Sequence, residues 1–349
     1  MSIHSEKHAI VLEVGSRYVK CGLSEERAPR SVLRWEVAEL LAKRASAAEY
    51  HAYLVPQLHR ICFDLLHVNP RHRRFLVCED VVTPRAFREA LVAVVFNELK
   101  AASLTLVPSA ITALYATSHH TALIVDCGWA ETRVLPVYKG IPLQYLYTTA
   151  SVGASTGCQV IQSALASDDD EKMSLEAAED VLERACFVQP HKNPIMDIVD
   201  ARFGGTGDNA LVVPAHVRTD ACECLFRGTT DSDITVLSCV QEALEKLPID
   251  VRVAMVENLL VLGGTAMLPG FCRRLVDEIR DGLMMEKQGW GDRAALVQPL
   301  FPRNMLAWVG ASIYASTEAA REHAISSNDF ASRGSQCLPD WMSIAEKNI

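Results

Sequence analysis

The feature that most restricts this chain is a hairpin pattern that occurs twice. Ala9-Ile10-Val11-Leu12-Glu13-Val14-Gly15 is an apolar run ending in an acid and a glycine, and Ser16 to Leu23 reads as its return strand. Thr121-Ala122-Leu123-Ile124-Val125-Asp126-Cys127-Gly128 repeats the arrangement, with Asp126 standing 113 positions after Glu13. Its return strand is Thr132 to Tyr138, which turns at Lys139-Gly140. Two unrelated hairpins would look the same in isolation. A duplicated unit predicts a fold of two similar halves.

Helical periods fill the intervals. Tyr50 to Leu66 carries Leu54, Leu58, Ile61, Cys62 and Leu65 on one face. Thr83-Pro84 opens a helix, with Thr83 as its cap, that runs through Phe87, Leu91, Val94 and Val95 to about Lys100. Pro108 starts another that ends near Tyr115, and Ser174 caps one to about Cys186, with Glu176 and Glu179 at its positive end. Residues 168–171, all acidic, read as a solvated loop, and 189–209, rich in Pro, Gly and Asn, as an irregular connection. Ile234 to Leu247 is an amphipathic helix ended by Pro248. Asn258 to Leu262 is a short buried strand before Gly263-Gly264-Thr265, and Pro269-Gly270 leads into a helix with Phe271, Leu275, Val276 and Ile279 on one face. Strands and helices alternate throughout, so the fold class is α/β. A length of 349 residues favours two lobes over one core.

Composition removes several classes of function. A formal charge of −9 disfavours nucleic acid, whose phosphates need clustered cations. The longest uncharged apolar run, Ala90 to Phe96, is far below the roughly 20 residues that cross a bilayer. Met1 to Lys7 is polar and resembles no secretory signal, so a cytoplasmic protein is expected. Most of the eleven cysteines sit in apolar segments, as small buried hydrophobes do in a reducing compartment. Cys222 and Cys224 form the one close pair, and no second pair lies at ligand spacing, so no structural metal is expected.

Four segments in order resemble actin. Glu13-Val14-Gly15-Ser16-Arg17-Tyr18-Val19-Lys20-Cys21-Gly22 is similar to its first phosphate loop, and Asp126-Cys127-Gly128 through Leu135 to Gly140 to its second. Pro248-Ile249-Asp250-Val251-Arg252 with Leu262-Gly263-Gly264-Thr265-Ala266-Met267-Leu268-Pro269-Gly270 resembles its adenosine segment. Ala307-Trp308-Val309-Gly310-Ala311-Ser312 resembles its Trp–x–Gly helix start. The resemblance implies the two-lobe fold of the actin, hexokinase and chaperone ATPase superfamily, with a cleft for ATP or ADP and Mg. Subdomain 1 would comprise 1–30, 47–116 and 306–349; subdomain 3, 117–151 and 232–305; subdomain 4, 152–231. Residues 31–46 would be a vestigial subdomain 2, with Val37 to Arg44 a short amphipathic helix rather than a sheet with an extended loop.

By the same resemblance, Gly15, Ser16, Lys20, Asp126 and Gly128 correspond to the phosphate loops, Glu183 to an acid on the ribose, and Gly263, Gly264, Thr265 and Met267 to adenosine contacts. A plain reading of Gly15, Ser16 and Lys20 is that they only form a tight hairpin. The departures concern catalysis. Glu13 stands for an Asp, Arg17 and Ala130 for loop glycines, and Trp129 for the Asp that anchors metal-bound water. Ser109 replaces the Gln and Arg133 the His that position the attacking water, and Asn304 replaces the lysine on the adenine. Hydrolysis needs an oriented water and a neutralised γ-phosphate. The resemblance therefore implies a pseudo-ATPase with no catalytic residue.

Among actin-related proteins, Val68-Asn69-Pro70-Arg71-His72-Arg73-Arg74, Gly140-Ile141-Pro142 and Leu338-Pro339-Asp340-Trp341 are most similar to those at the pointed end of dynactin. That class implies a filament cap. Its partners would be the actin-like filament subunit and the other pointed-end subunits of dynactin and, indirectly, dynein and cargo adaptors. The competing readings are an ATP-binding subunit of a chromatin remodeller and a residual ATPase of the superfamily. The run Arg71 to Arg74 would meet an acidic partner or form a solvated loop, and the tail Pro339-Asp340-Trp341 would dock on a neighbour or on its own lobe.

Overall fold

The computed structural model describes residues 8–166, 173–203, 210–228, 234–285 and 291–341. The polar N-terminus Met1 to Lys7, the acidic stretch 168–171 and the last part of the 189–209 connection lie outside the described residues. The chain divides into two compact units, Met1–His120 with Pro299–Ile349, and Thr121–Gln298.

In the first unit, β1 (Ile10–Val14) and β2 (Tyr18–Leu23) form the first hairpin, and β3 (Ser31–Arg34) pairs with β2. Two helices follow, α1 (Val37–Ala42) and α2 (Ala47–His59). The short α1 falls where the sequence suggests a helix, but β3 extends the sheet by a strand that the sequence reading left out. α2 begins earlier than its apolar stripe, at a capping box in which Ser46 and Glu49 satisfy each other's backbone N–H groups. β4 (Arg74–Glu79) runs parallel to β1, and β5 (Ser103–Pro108) parallel to β4. Between them lies α3 (Arg85–Ala93), and α4 (Ser109–Tyr115) follows β5. Thr83 does not cap α3. Its hydroxyl donates to the Asp80 carbonyl at 2.8 Å, and Pro84 is the residue that precedes the helix. Both α2 and α3 end in a wider turn, with N–H groups reaching back five residues from Leu66 to Ile61 and from Leu99 to Val94. β1 and β4 are apolar nearly throughout because helices cover both faces. Ile10, Leu12, Phe75 and Val77 share a core with Leu54 and Leu58 of α2 and Phe87 and Leu91 of α3.

The second unit repeats the theme. β6 (Ala122–Cys127) and β7 (Thr132–Tyr138) form the second hairpin, and the short β8 (Ile141–Pro142) and β9 (Thr148–Ala150) both pair with β7. α5 (Ala154–Ala164) and α6 (Leu175–Ala185) follow, then the two-stranded pair β10 (Ala201–Phe203) and β11 (Leu211–Val213). The connection read as wholly irregular thus contains a strand of that pair. After α7 (Ala215–Glu223) and α8 (Val236–Lys246), Pro248 ends one helix and immediately starts another, α9 (Ile249–Val256). β12 (Leu259–Leu262) lies parallel to β6, as β4 lies parallel to β1, and α10 (Phe271–Met285) covers the sheet. Leu123, Val125, Leu259 and Val261 meet Val240, Leu244, Phe271 and Leu275 in this unit's core.

The chain then returns to the first unit with α11 (Leu306–Tyr314), α12 (Glu318–Glu322), β13 (Ile325–Ser326) and α13 (Ser327–Arg333). β13 completes a six-stranded sheet in the order β13-β5-β4-β1-β2-β3. α11 lies so close to α4 that a Cβ on Gly310 would fall 1.7 Å from the Thr112 carbonyl oxygen, and Trp308 Nε1–H donates to Val11 O at 3.2 Å. None of the eleven cysteines forms a disulfide, and nine are buried. No helix among the described residues is long and apolar enough to cross a membrane, and no three of their His, Cys, Asp and Glu side chains cluster as metal ligands would.

Candidate functional site

The first hairpin is closed by the Gly15 N–H, which donates to Tyr18 O at 3.0 Å. A Cβ on Gly15 would stand 2.8 Å from that oxygen, so the turn needs glycine. Glu13 and Lys20 face each other across the strands, and their side chains form an ion pair in which each is 16% exposed. Arg17 is buried. The loop carbonyls are all occupied from one direction. Gly15 O accepts from Trp35 Nε1 at 2.8 Å, Ser16 O from Ala38 N at 2.8 Å, and Arg17 O from Trp35 N at 3.1 Å.

The second hairpin repeats this construction residue for residue. The Gly128 N–H donates to Glu131 O at 3.0 Å, and a Cβ there would lie 3.1 Å from that oxygen. Asp126 and Arg133 are cross-strand partners, as Glu13 and Lys20 are, with a nitrogen of Arg133 3.7 Å from Asp126 Oδ2 and another 2.6 Å from Glu131 Oε1. Gly128 O accepts from Thr265 Oγ1 at 2.6 Å and from Ala154 N at 3.2 Å, while Trp129 O accepts from Ser155 N at 2.9 Å. The Trp129 side chain packs against this unit's core. Gly263 has φ +99°, and a Cβ there would be 2.1 Å from Cys127 O. The second unit thus gathers Asp126, Gly128, Gly263 and buried Thr265 at the ends of parallel β6 and β12. Gly264 and Met267 are exposed on the turn that follows, and Glu183 is exposed on α6.

Ser109 and Arg133, two of the residues that depart from the actin pattern, make contacts within their own units. Ser109 is the first residue of α4, and its hydroxyl donates to Glu79 O at 3.1 Å. Asn304 lies in a short turn, Arg303–Met305, with its Oδ1 buried and unbonded. In the basic run, Arg73 donates to the carbonyls of Asn69 and His8, and Arg74 to that of Ala315, each at 3.1 Å, so both tether backbone.

Sequence reasoning missed two groups. One is Trp35, whose role depends on a partner 20 residues away. The other is Glu79, almost wholly buried at the end of β4, where Oε1 accepts from Trp341 Nε1 at 2.8 Å and lies 2.9 Å from an Arg88 nitrogen. Arg88 also donates to Pro339 O at 2.6 Å. The C-terminal tail therefore docks on its own unit. Burial pushes the Glu79 carboxyl above its ordinary value, against the pull of Arg88 and Trp341.

A nucleotide phosphate needs unengaged N–H donors and a cation to offset its charge. Here the amides of Gly15 and Gly128 close their own turns, Lys20 and Arg133 face carboxylates, and the position of the metal-shell acid holds an indole packed on the core.

Comparison with known proteins agrees with the architecture. The sequence pattern of the family described as Actin matches residues 53–181 and 207–340. The chain is also similar to Actin-related protein 10 of Dictyostelium discoideum. The two are 24% identical over 435 aligned positions, which take in 98% of this chain and 90% of that relative.

Proposed function

The chain belongs to the actin family, and on that premise we propose that it is a non-catalytic actin-related protein that caps the pointed end of dynactin's actin-like filament. It would scaffold the other pointed-end subunits there, in the cytoplasm, for dynein-based transport. The observation that carries this reading is the economy of residues 31–46. They form one four-residue edge strand and one six-residue helix, and the helix folds back on the first hairpin through the Ala38 N–H. Nothing in that stretch projects as a loop that could enter a following subunit. Head-to-tail assembly is heterologous and grows until one face is spoiled. A chain of this family that keeps one joinable face and lacks the other ends a filament.

Loss of catalysis accompanies this reading. Trp129, Ser109 and Arg133 hold a core contact, a helix start and an ion pair, where an ATPase needs a metal-shell acid and water-positioning groups. The test is electron microscopy of the actin-like filament assembled with labelled protein. Label is expected at one end only, and label along the filament would refute the cap.

A further inference from the structure

The connection from α6 to β10 leaves an apolar run on the surface of the second unit. Ile195 is 48% exposed, Met196 85% and Val199 73%, and on β11, which pairs with β10, Leu211 and Val212 are 36% and 41% exposed. Apolar side chains gathered on a surface in this way mark a place where something docks. The run is held at both ends. The Gln189 side chain brackets Ile195, accepting from its N–H at 3.0 Å and donating to its carbonyl at 3.2 Å, the two bonds by which a neighbouring strand would hold it. Gln189 O in turn accepts from buried Arg274 of α10 at 2.8 Å, and Arg274 is paired with Glu223 of α7 and with Glu278 of its own helix. At the far end Arg218 donates to Val199 O at 2.6 Å, and the Ala215 N–H donates to Asp200 Oδ1 at 2.8 Å. Between these anchors the N–H groups of Met196, Asp197, Ile198 and Val199, and the carbonyls of Met196, Asp197 and Ile198, have no partner among the described residues. β10 continues the run, with β11 on one side and no strand on the other among the described residues.

A row of unpaired main-chain groups flanked by exposed apolar side chains is completed by one kind of structure, an added strand. We infer that residues 195–203 are a docking edge for an extended segment of another protein, which pairs with the main chain here and packs apolar side chains against Met196 and Val199. The anchors at both ends fix the edge before anything binds, which lowers the cost of ordering it. Asp197 and Arg202 are exposed and form no ion pair among the described residues, so the incoming segment carries a basic residue for the one and an acidic residue for the other. A lipid surface or a nucleic acid offers no ladder of N–H and C=O groups, and a formal charge of −9 disfavours pairing between two copies of the chain. The inference rests on the proposed place in dynactin only for the partner used in its test.

Hydrogen–deuterium exchange on the full-length chain tests it, with the chain alone and mixed with the other pointed-end subunits of dynactin purified without it. The peptide 195–203 is expected to exchange about tenfold or more slowly in the mixture, and the β5 peptide, 103–108, to be unchanged. Met196→Pro keeps an apolar side chain but removes one N–H from the edge, and is expected to weaken binding about five- to tenfold, the range that one net hydrogen bond allows. Val199→Asp is expected to weaken it at least about tenfold. Both side chains are mostly exposed in the chain alone, so either variant is expected to unfold thermally as the unaltered chain does. Unchanged exchange of 195–203 in the mixture would overturn the inference, and that measurement needs no variant. So would binding that both variants leave intact. Protection that instead rises with the concentration of the chain alone would place a second copy on the edge and would also overturn it. Filament labelling is a separate measurement, so the cap can fail while the docking edge stands, and the reverse.

Discussion

At the scale of single residues, glycines and one buried acid make the sharpest statements. Gly263 and Gly264 are neighbours that both resemble nucleotide contacts, yet their surroundings differ. Gly263 combines φ +99° with a carbonyl oxygen 2.1 Å from any Cβ, whereas Gly264 opens on empty space at an ordinary φ. Gly263→Ala is expected to destabilise the chain by at least about 3 kcal/mol, and Gly264→Ala by less than about 0.5 kcal/mol, in chemical unfolding. Reversal of that order would mean that the turn is built differently. Glu79 supplies a pH test. Its folded carboxyl titrates above the ordinary 4.5, so folding takes up a proton between that value and the raised one, and stability falls as pH rises through the window. Glu79→Gln is expected to remove that component, visible as a flatter difference curve in urea unfolding as pH is raised from 4.5. Some of this was legible in sequence: Gly15 and Gly128 stand where a tight turn needs them. The pairing of Glu13 with Lys20 was not, because it rests on strand register rather than on spacing along the chain.

At the scale of elements, long apolar periods were readable and short ones were not. Leu54 and Leu58 marked α2 correctly, and Phe271, Leu275 and Ile279 marked α10. β3, β10 and β11 have only three or four residues each, too few for a period to emerge, and they exist through pairing with a neighbouring strand. α9 was hidden because a proline that stops one helix is equally suited to begin the next. The capping boxes also give a prediction. Hydrogen bonds from Ser46 hold Glu49, and hydrogen bonds from Ser326 hold Asp329, below their ordinary carboxyl values of 4.5 and 3.8. The support they lend is therefore present above those values and is lost as pH falls through the lower folded ones. The first turns of α2 and α13 are expected to lose exchange protection, as pH falls below those ordinary values, before the strands do, and simultaneous loss would argue that the caps contribute nothing.

At the scale of the whole molecule, the duplicated hairpin was the most legible feature. It survives in three dimensions down to matching turn bonds and matching acid–cation pairs. What those pairs imply for catalysis is testable without any structure. Purified protein is expected to show no ATP turnover above background, and turnover that disappears in Lys20→Ala would overturn the non-catalytic reading. The chain's path carries a further consequence. Thr121–Gln298 is one uninterrupted stretch, whereas the first unit is assembled from both sides of it, and its sheet is bonded to Trp308 at Val11. A nascent chain on the ribosome therefore finishes the middle unit before the N-terminal sheet can receive α11. That inverts the usual order, in which the N-terminal domain folds first. During synthesis β1 and β4 therefore wait for α11 until the residues after the middle unit have been made.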